Sequence, residues 1–117
     1  MDYKRIHESI MNSDPTIRLV TICDLNGKIV QSDHREGVKN LLTPEESKKS
    51  LELPMNSWKT RSQLVPKIGK GKYVLAEYEK IKRITIPLGD KHLLYVTTEV
   101  EADHTVLTDR IANSDLR

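Results

Sequence analysis

Two hydrophobic periods alternate along the chain, and their order predicts a fold. Tyr3, Ile6, Ile10 and Met11 recur at helical spacing with His7 beside them, so residues 2–13 read as an amphipathic helix. Asp14-Pro15 ends it, because proline disfavours helical geometry at the residue before it. Residues 17–23, Ile17-Arg18-Leu19-Val20-Thr21-Ile22-Cys23, are β-branched and almost wholly apolar, as suits a central strand covered on both faces. Asn26-Gly27 offers two positive-φ positions for a tight hairpin. Residues 28–32 then continue as a second strand. From 33 to 42 the period is lost, with a loop through Gly37 and a short turn through Val38, Leu41 and Leu42.

Thr43-Pro44-Glu45-Glu46 is a helix start, with Thr as N-cap, Pro in the first turn and Glu at the third position. The helix is expected to reach about residue 65, with an apolar line of Leu51, Pro54, Met55, Trp58 and Val65 and with Ser47 and Ser62 on the same side. Pro54 removes one backbone bond and crowds the carbonyl of Ser50, at a cost of about 3 kcal/mol in a regular helix. A kink, or two helices meeting there, is expected. Pro66 and Gly69 close the segment. Residues 73–79, 83–88 and 92–98 read as three more strands, and 102–112 as a last helix with Val106, Leu107 and Ile111 inward. The tail from 113 to 117 is expected to fray. The economical way to bury this pattern is an α/β (α+β) domain: a five-stranded antiparallel sheet with helices on both faces, in the order α-β-β-α-β-β-β-α.

Composition narrows the picture. At 117 residues one domain is expected, spanning 1–117. With four Tyr, one Trp and no Phe, the core must be built from Ile, Leu and Val. The lone Cys23 excludes an internal disulfide and fits a reducing cytoplasm. The N-terminus leads into an amphipathic stretch and not an apolar signal region. No apolar run approaches the ~20 residues that span a bilayer. A net charge of +2 does not by itself imply nucleic acid.

Residue chemistry offers little. His7, Cys23, His34, His92 and His104 show no ligand spacing, so no metal or other cofactor is expected. No Ser or Thr sits in an activated context. Gly69-Lys70-Gly71-Lys72 lacks phosphate-loop spacing and follows a helix instead of preceding one. Glu77 and Glu79 would share one strand face, with nothing near to raise a pKa. The most unusual stretch runs from Leu53 to Ala76, with no acid and five bases: Lys59, Arg61, Lys67, Lys70 and Lys72. It is either a patch for phosphate, anionic lipid or an acidic surface, or a basic helix end followed by a solvated loop. Trp58 reads either as core packing or as an interface anchor.

Two stretches carry a family resemblance. Leu19-Val20-Thr21-Ile22-Cys23-Asp24-Leu25-Asn26-Gly27-Lys28-Ile29-Val30-Gln31-Ser32 is similar to the strand–D-x-x-G–strand hairpin of the roadblock/LC7 (longin-like, profilin-like) superfamily. Ile84 to Thr97 resembles that family's fourth and fifth strands. Leu42 to Leu64, with Trp58-Lys59-Thr60-Arg61, is also similar to a family of small archaeal proteins of unknown function, which would supply a lineage and no activity. The first resemblance implies a non-enzymatic module that homodimerises through its central helix and an edge strand and scaffolds or regulates small GTPases and motors. Mapped here, the dimer surface would be residues 44–65 and the strand near 72–79, with Leu51, Met55, Trp58, Tyr73, Leu75 and Glu77 in it. Pro54 and the charges on the 72–79 strand depart from that pattern. The rival is a PAS- or GAF-like sensor holding a small ligand near Trp58, Tyr73 and Tyr95. A nucleic-acid adaptor would rest on the basic segment alone, in a stretch with few aromatics to stack bases, and its binding would collapse with rising salt.

Overall fold

The computed structural model describes residues 2–113; the expected fraying of the tail lies outside them, apart from Asn113. The elements run α1 (Tyr3–Ser13), β1 (Ile17–Asp24), β2 (Ile29–His34), α2 (Pro44–Ser62), α3 (Val65–Ile68), β3 (Val74–Glu77), β4 (Ile81–Leu88), β5 (His92–Glu99) and α4 (His104–Asn113). The five strands form one antiparallel sheet in the order β2-β1-β5-β4-β3. This is the expected order of elements, with the one-turn α3 added. Its centre is β1 beside β5, and each is covered on both faces.

The two faces carry different cores. On one, Ile6 and Ile10 of α1 and Leu107 and Ile111 of α4 meet Val20, Ile22, Ile84, Leu88, Leu94 and Val96. On the other, Leu51, Met55 and Trp58 of α2 meet Cys23, Leu93 and Tyr95, with Leu25 and Val74 against them. The strict two-residue alternation of strand side chains sorts the residues between these layers.

Some local expectations are corrected. Only Gly27 of the first hairpin has positive φ, at 91°. Asn26 is spared it because the loop is longer than a two-residue turn. The Asp24 N–H donates to the Lys28 carbonyl at 2.9 Å, and the Asp24 carboxylate accepts from the N–H groups of Asn26 and Lys28. Val106 is 41% exposed, and Thr108 is buried beside Leu107 and Ile111 instead. The last helix begins at His104, two residues late. The third strand ends at Glu77 because the Tyr78 N–H turns to the Ile81 carbonyl, so Glu79 lies in a turn and shares no strand face with Glu77.

The end of α1 is fastened by charge. Arg35 donates from Nη2 to the Met11 and Asp14 carbonyls, at 2.7 and 2.8 Å, and from Nε to the Ile17 carbonyl at 2.7 Å. It thereby satisfies carbonyls that a helix end leaves without partners. Asp14 accepts from the Thr16 hydroxyl and backbone N–H, and Arg110 of α4 lies 3.4 Å away. Burial pushes the Asp14 carboxyl up, but these hydrogen bonds and the charges of Arg110 and Arg35 outweigh it and hold its pKa below 3.8. A lowered carboxyl pKa stabilises the fold above the unfolded value near 4, and that contribution is lost as pH falls through the folded value. Asp14→Asn is therefore expected to cost about 1 kcal/mol at pH 7 and progressively less as pH falls below the ordinary carboxylate range. Urea melts of both proteins from neutral pH into acid check it, and a deficit that does not shrink as pH falls refutes it.

Candidate interaction surface

The surface is built on α2. The Thr43 hydroxyl accepts from the Glu46 N–H at 3.1 Å and the Glu46 carboxylate accepts from the Thr43 N–H at 3.0 Å, a reciprocal cap behind Pro44. From there the helix continues through Pro54 as one element, so the expected division into two helices does not fall there. The reason lies in the sheet beneath. Pro54 has no N–H to give the Ser50 carbonyl. Arg83 of β4 donates to that carbonyl from Nη1 at 3.3 Å and to the Ser50 hydroxyl at 2.9 Å. Tyr95 of β5 donates its hydroxyl to the next carbonyl, Leu51, at 3.3 Å. Side chains of the sheet thus serve two backbone acceptors in the turn before the proline.

The side chains under α2 are desolvated by burial. Burial raises the Tyr95 hydroxyl to about 12, with Cys23 adding and Arg83 opposing. Burial also pushes the Cys23 thiol up to about 11, with the Asp24 charge adding. The same desolvation lowers the Arg83 guanidinium from its ordinary value, against the pull of Tyr78 and Tyr95. Arg83 is 8% exposed, and its Nε has no hydrogen-bond partner among the described residues. A thiol this hard to ionise is a poor nucleophile or metal ligand.

Of the residues expected at an interface, Leu51, Met55 and Trp58 point into this layer and are 7–8% exposed, covered by the chain's own sheet. An alanine Cβ at Gly71 would lie 3.2 Å from the Trp58 ring. Leu75 lies on the opposite face of the sheet, against the α1–α4 core. Tyr73 is 40% exposed just before β3, and Glu77 ends that strand with its carboxylate 3.6 Å from Lys82. The apolar side chain that α2 turns outward is Leu53, 74% exposed.

The five bases of the acid-free stretch are all exposed. Lys59 and Arg61 lie at the end of α2, Lys67 on α3, and Lys70 and Lys72 on the way to β3. The ion pairs among the described residues are Arg18–Glu99, Lys82–Glu77 and Arg110–Asp14, none of which uses them. Leu64 and Ile68 stand exposed between them, Ile68 at 79%.

Tyr73 does not join the other two residues expected around a sensor's ligand. Trp58 and Tyr95 are packed against Leu51, Met55, Cys23 and Leu93, while Tyr73 lies outside. A cleft of about 340 Å³ opens elsewhere, between α1 and β2, lined by polar groups such as Lys4, His7, Asp33 and Arg35. A small one of about 30 Å³ lies where the 38–42 loop meets the start of α2. Among the described residues no three His, Cys, Asp or Glu side chains converge on a metal position, and no helix is long and apolar enough to cross a membrane.

Arg83, Arg35 and Lys82 escaped the sequence reading. Lys82 lies buried on β4 and donates to the Ala102 carbonyl at 2.8 Å, ahead of α4. A signal for Arg83 was present: a proline inside a helix leaves a carbonyl that needs a donor, and Lys82-Arg83 interrupts an otherwise apolar strand.

No protein-family model matches the chain, and no curated protein matches it in sequence. Solved structures do match in shape. A roadblock/LC7 domain from Streptomyces avermitilis superposes with a TM-score of 0.72 at 16% identity, over 96% of this chain and 90% of that one. MglB of Myxococcus xanthus superposes with a TM-score of 0.70 at 15% identity, over 96% and 89%. The gliding protein MglB of Thermus thermophilus gives 0.72 at 12% identity, over 94% and 82%. At such identities the likeness concerns the fold, and that fold is the roadblock/LC7 one.

Proposed function

Starting from a chain with the roadblock/LC7 fold, we propose that it is a non-enzymatic regulatory scaffold. It works as a homodimer through α2 and β3, and a small GTPase is the kind of protein partner its resemblance implies. The observation that carries the reading is that β3 is a bare sheet edge of half-buried Val74, Leu75 and Ala76 beside a helix that turns Leu53 to solvent. An edge strand presents unpaired backbone groups, and proteins either protect it or pair it. The opposite edge, β2, is the better protected, because its outer half is Ser32, Asp33 and His34, all exposed. Pairing β3 with its copy would continue the sheet, bringing Tyr73 and Glu77 to the contact. Leu51, Met55 and Trp58 would serve it from beneath, by seating α2.

Native mass spectrometry of the purified chain tests this. The expected result is a dimer without bound ligand, and Leu53→Asp shifts it to monomer with an unchanged far-ultraviolet circular dichroism spectrum. A wild-type monomer at tens of micromolar refutes the homodimer. A turnover abolished by replacing one polar side chain would refute the non-enzymatic reading.

A further inference from the structure

Going beyond that reading, we propose that the segment from Lys59 to Lys72 is a docking surface for anionic lipid membranes. Five bases lie within it, no acid occurs between residues 53 and 76, and none of the five is engaged in an ion pair among the described residues. Lysines near a membrane surface are drawn by its negative potential, and a cluster of them draws cooperatively with any apolar side chain that enters the interface. The apolar side chains are there. α3 buries none of its residues, and Ile68 is 79% and Leu64 47% exposed, with Lys67 between them in sequence. Leu64 and Ile68 stand one helical turn apart, the Ile68 N–H donating to the Leu64 carbonyl at 3.0 Å, so two exposed apolar side chains accompany Lys67.

Charge supplies the orientation. The whole chain carries only +2, so the surface outside this segment is net acidic and is turned away from an anionic bilayer. The chemistry of the cations favours a lipid surface over an acidic protein. Four of the five are lysines, flexible point charges suited to a diffuse field of headgroups, whereas paired recognition of carboxylates favours the planar fork of arginine. Nor does either described cleft open at this segment to receive a partner's side chain.

The test is sedimentation of the full chain with vesicles of phosphatidylcholine alone or with about 30% phosphatidylserine, a fraction that gives a strong surface potential. The chain is expected to sediment with the anionic vesicles only, and to be released as salt rises. The triple variant Lys67→Ala, Lys70→Ala, Lys72→Ala is expected to bind at least about tenfold more weakly, from the loss of three charges at the surface. Ile68→Asp should weaken binding similarly without changing the oligomeric mass. Lys4→Ala, Arg5→Ala, Lys91→Ala removes as much charge elsewhere and should leave binding unchanged. Equal sedimentation with both vesicles, or a loss in this control equal to that in the first triple, overturns the proposal. So does displacement by soluble polyglutamate with no effect of Ile68→Asp, which would indicate an acidic protein. A change of mass in Ile68→Asp overturns it in favour of contact between copies.

Discussion

Trp58→Ala is expected to lower folding stability by about 3–4 kcal/mol, the scale for emptying a large aromatic site in a core. Trp58 is 8% exposed and packs with Leu51, Met55, Leu93 and Tyr95. α2 meets the sheet almost wholly through Leu51, Met55 and Trp58, so few neighbours can collapse into the space. Chemical denaturation measures the loss, and a deficit below 1 kcal/mol would refute this account of how α2 is held. A second substitution separates packing from general damage. Gly71→Ala puts a Cβ 3.2 Å from two atoms of the Trp58 ring and is expected to cost about 1 kcal/mol. In the Trp58→Ala background the ring is gone, and the same substitution is expected to be nearly neutral. Equal costs in the two backgrounds would mean that the contact carries no energy.

Arg83→Met is expected to cost about 2–3 kcal/mol, since it removes charged hydrogen bonds to the Ser50 carbonyl and hydroxyl and leaves the half-buried carbonyl without that donor. The size of that penalty depends on Pro54. Pro54→Ala restores an N–H four residues after Ser50, and a helix uses that N–H to serve the carbonyl. The cost of Arg83→Met is therefore expected to fall by about 1 kcal/mol in the Pro54→Ala protein, as a double-mutant cycle would read it. Additive costs would show that the guanidinium is not compensating for the proline. The pair explains why a residue that reads as a helix breaker is tolerated at the centre of α2.

The sequence was most legible where one periodicity dominated. The capping box at Thr43, the apolar runs of β1 and β5 and the amphipathic α1 each follow from local chemistry, and together they suffice for the element order. Where the reading went astray, a distant group decided the outcome. Pro54 can divide an isolated helix, but Arg83 and Tyr95, which serve the acceptors before it, come from strands that lie dozens of residues later in the chain. Thr108, three residues before Ile111, lies nearer the inward face of α4 than Val106 does, and its hydroxyl bonds to the His104 and Thr105 carbonyls offset the cost of burying it. The functional surface was the least legible part. Leu51, Met55 and Trp58 mark a helix face that needs covering, and the sequence does not say whether a sheet or a second copy covers it. Leu53 and Ile68 are informative only because nothing in the fold covers them.

The strand order β2-β1-β5-β4-β3 also bears on how the chain reaches this state. Both outer portions of the sheet are local: β1–β2 is a hairpin, and β3-β4-β5 is a meander. The seam that joins them, β1 with β5, pairs residues 17–24 with residues 92–98 from the other end of the chain. Closing it means looping out everything between, including α2, before the central contacts offer any return, and such long-range closure governs folding speed more than final stability. The best-buried part of the molecule is then its kinetic bottleneck, and until it closes the apolar faces of β1 and β5 are open to other chains.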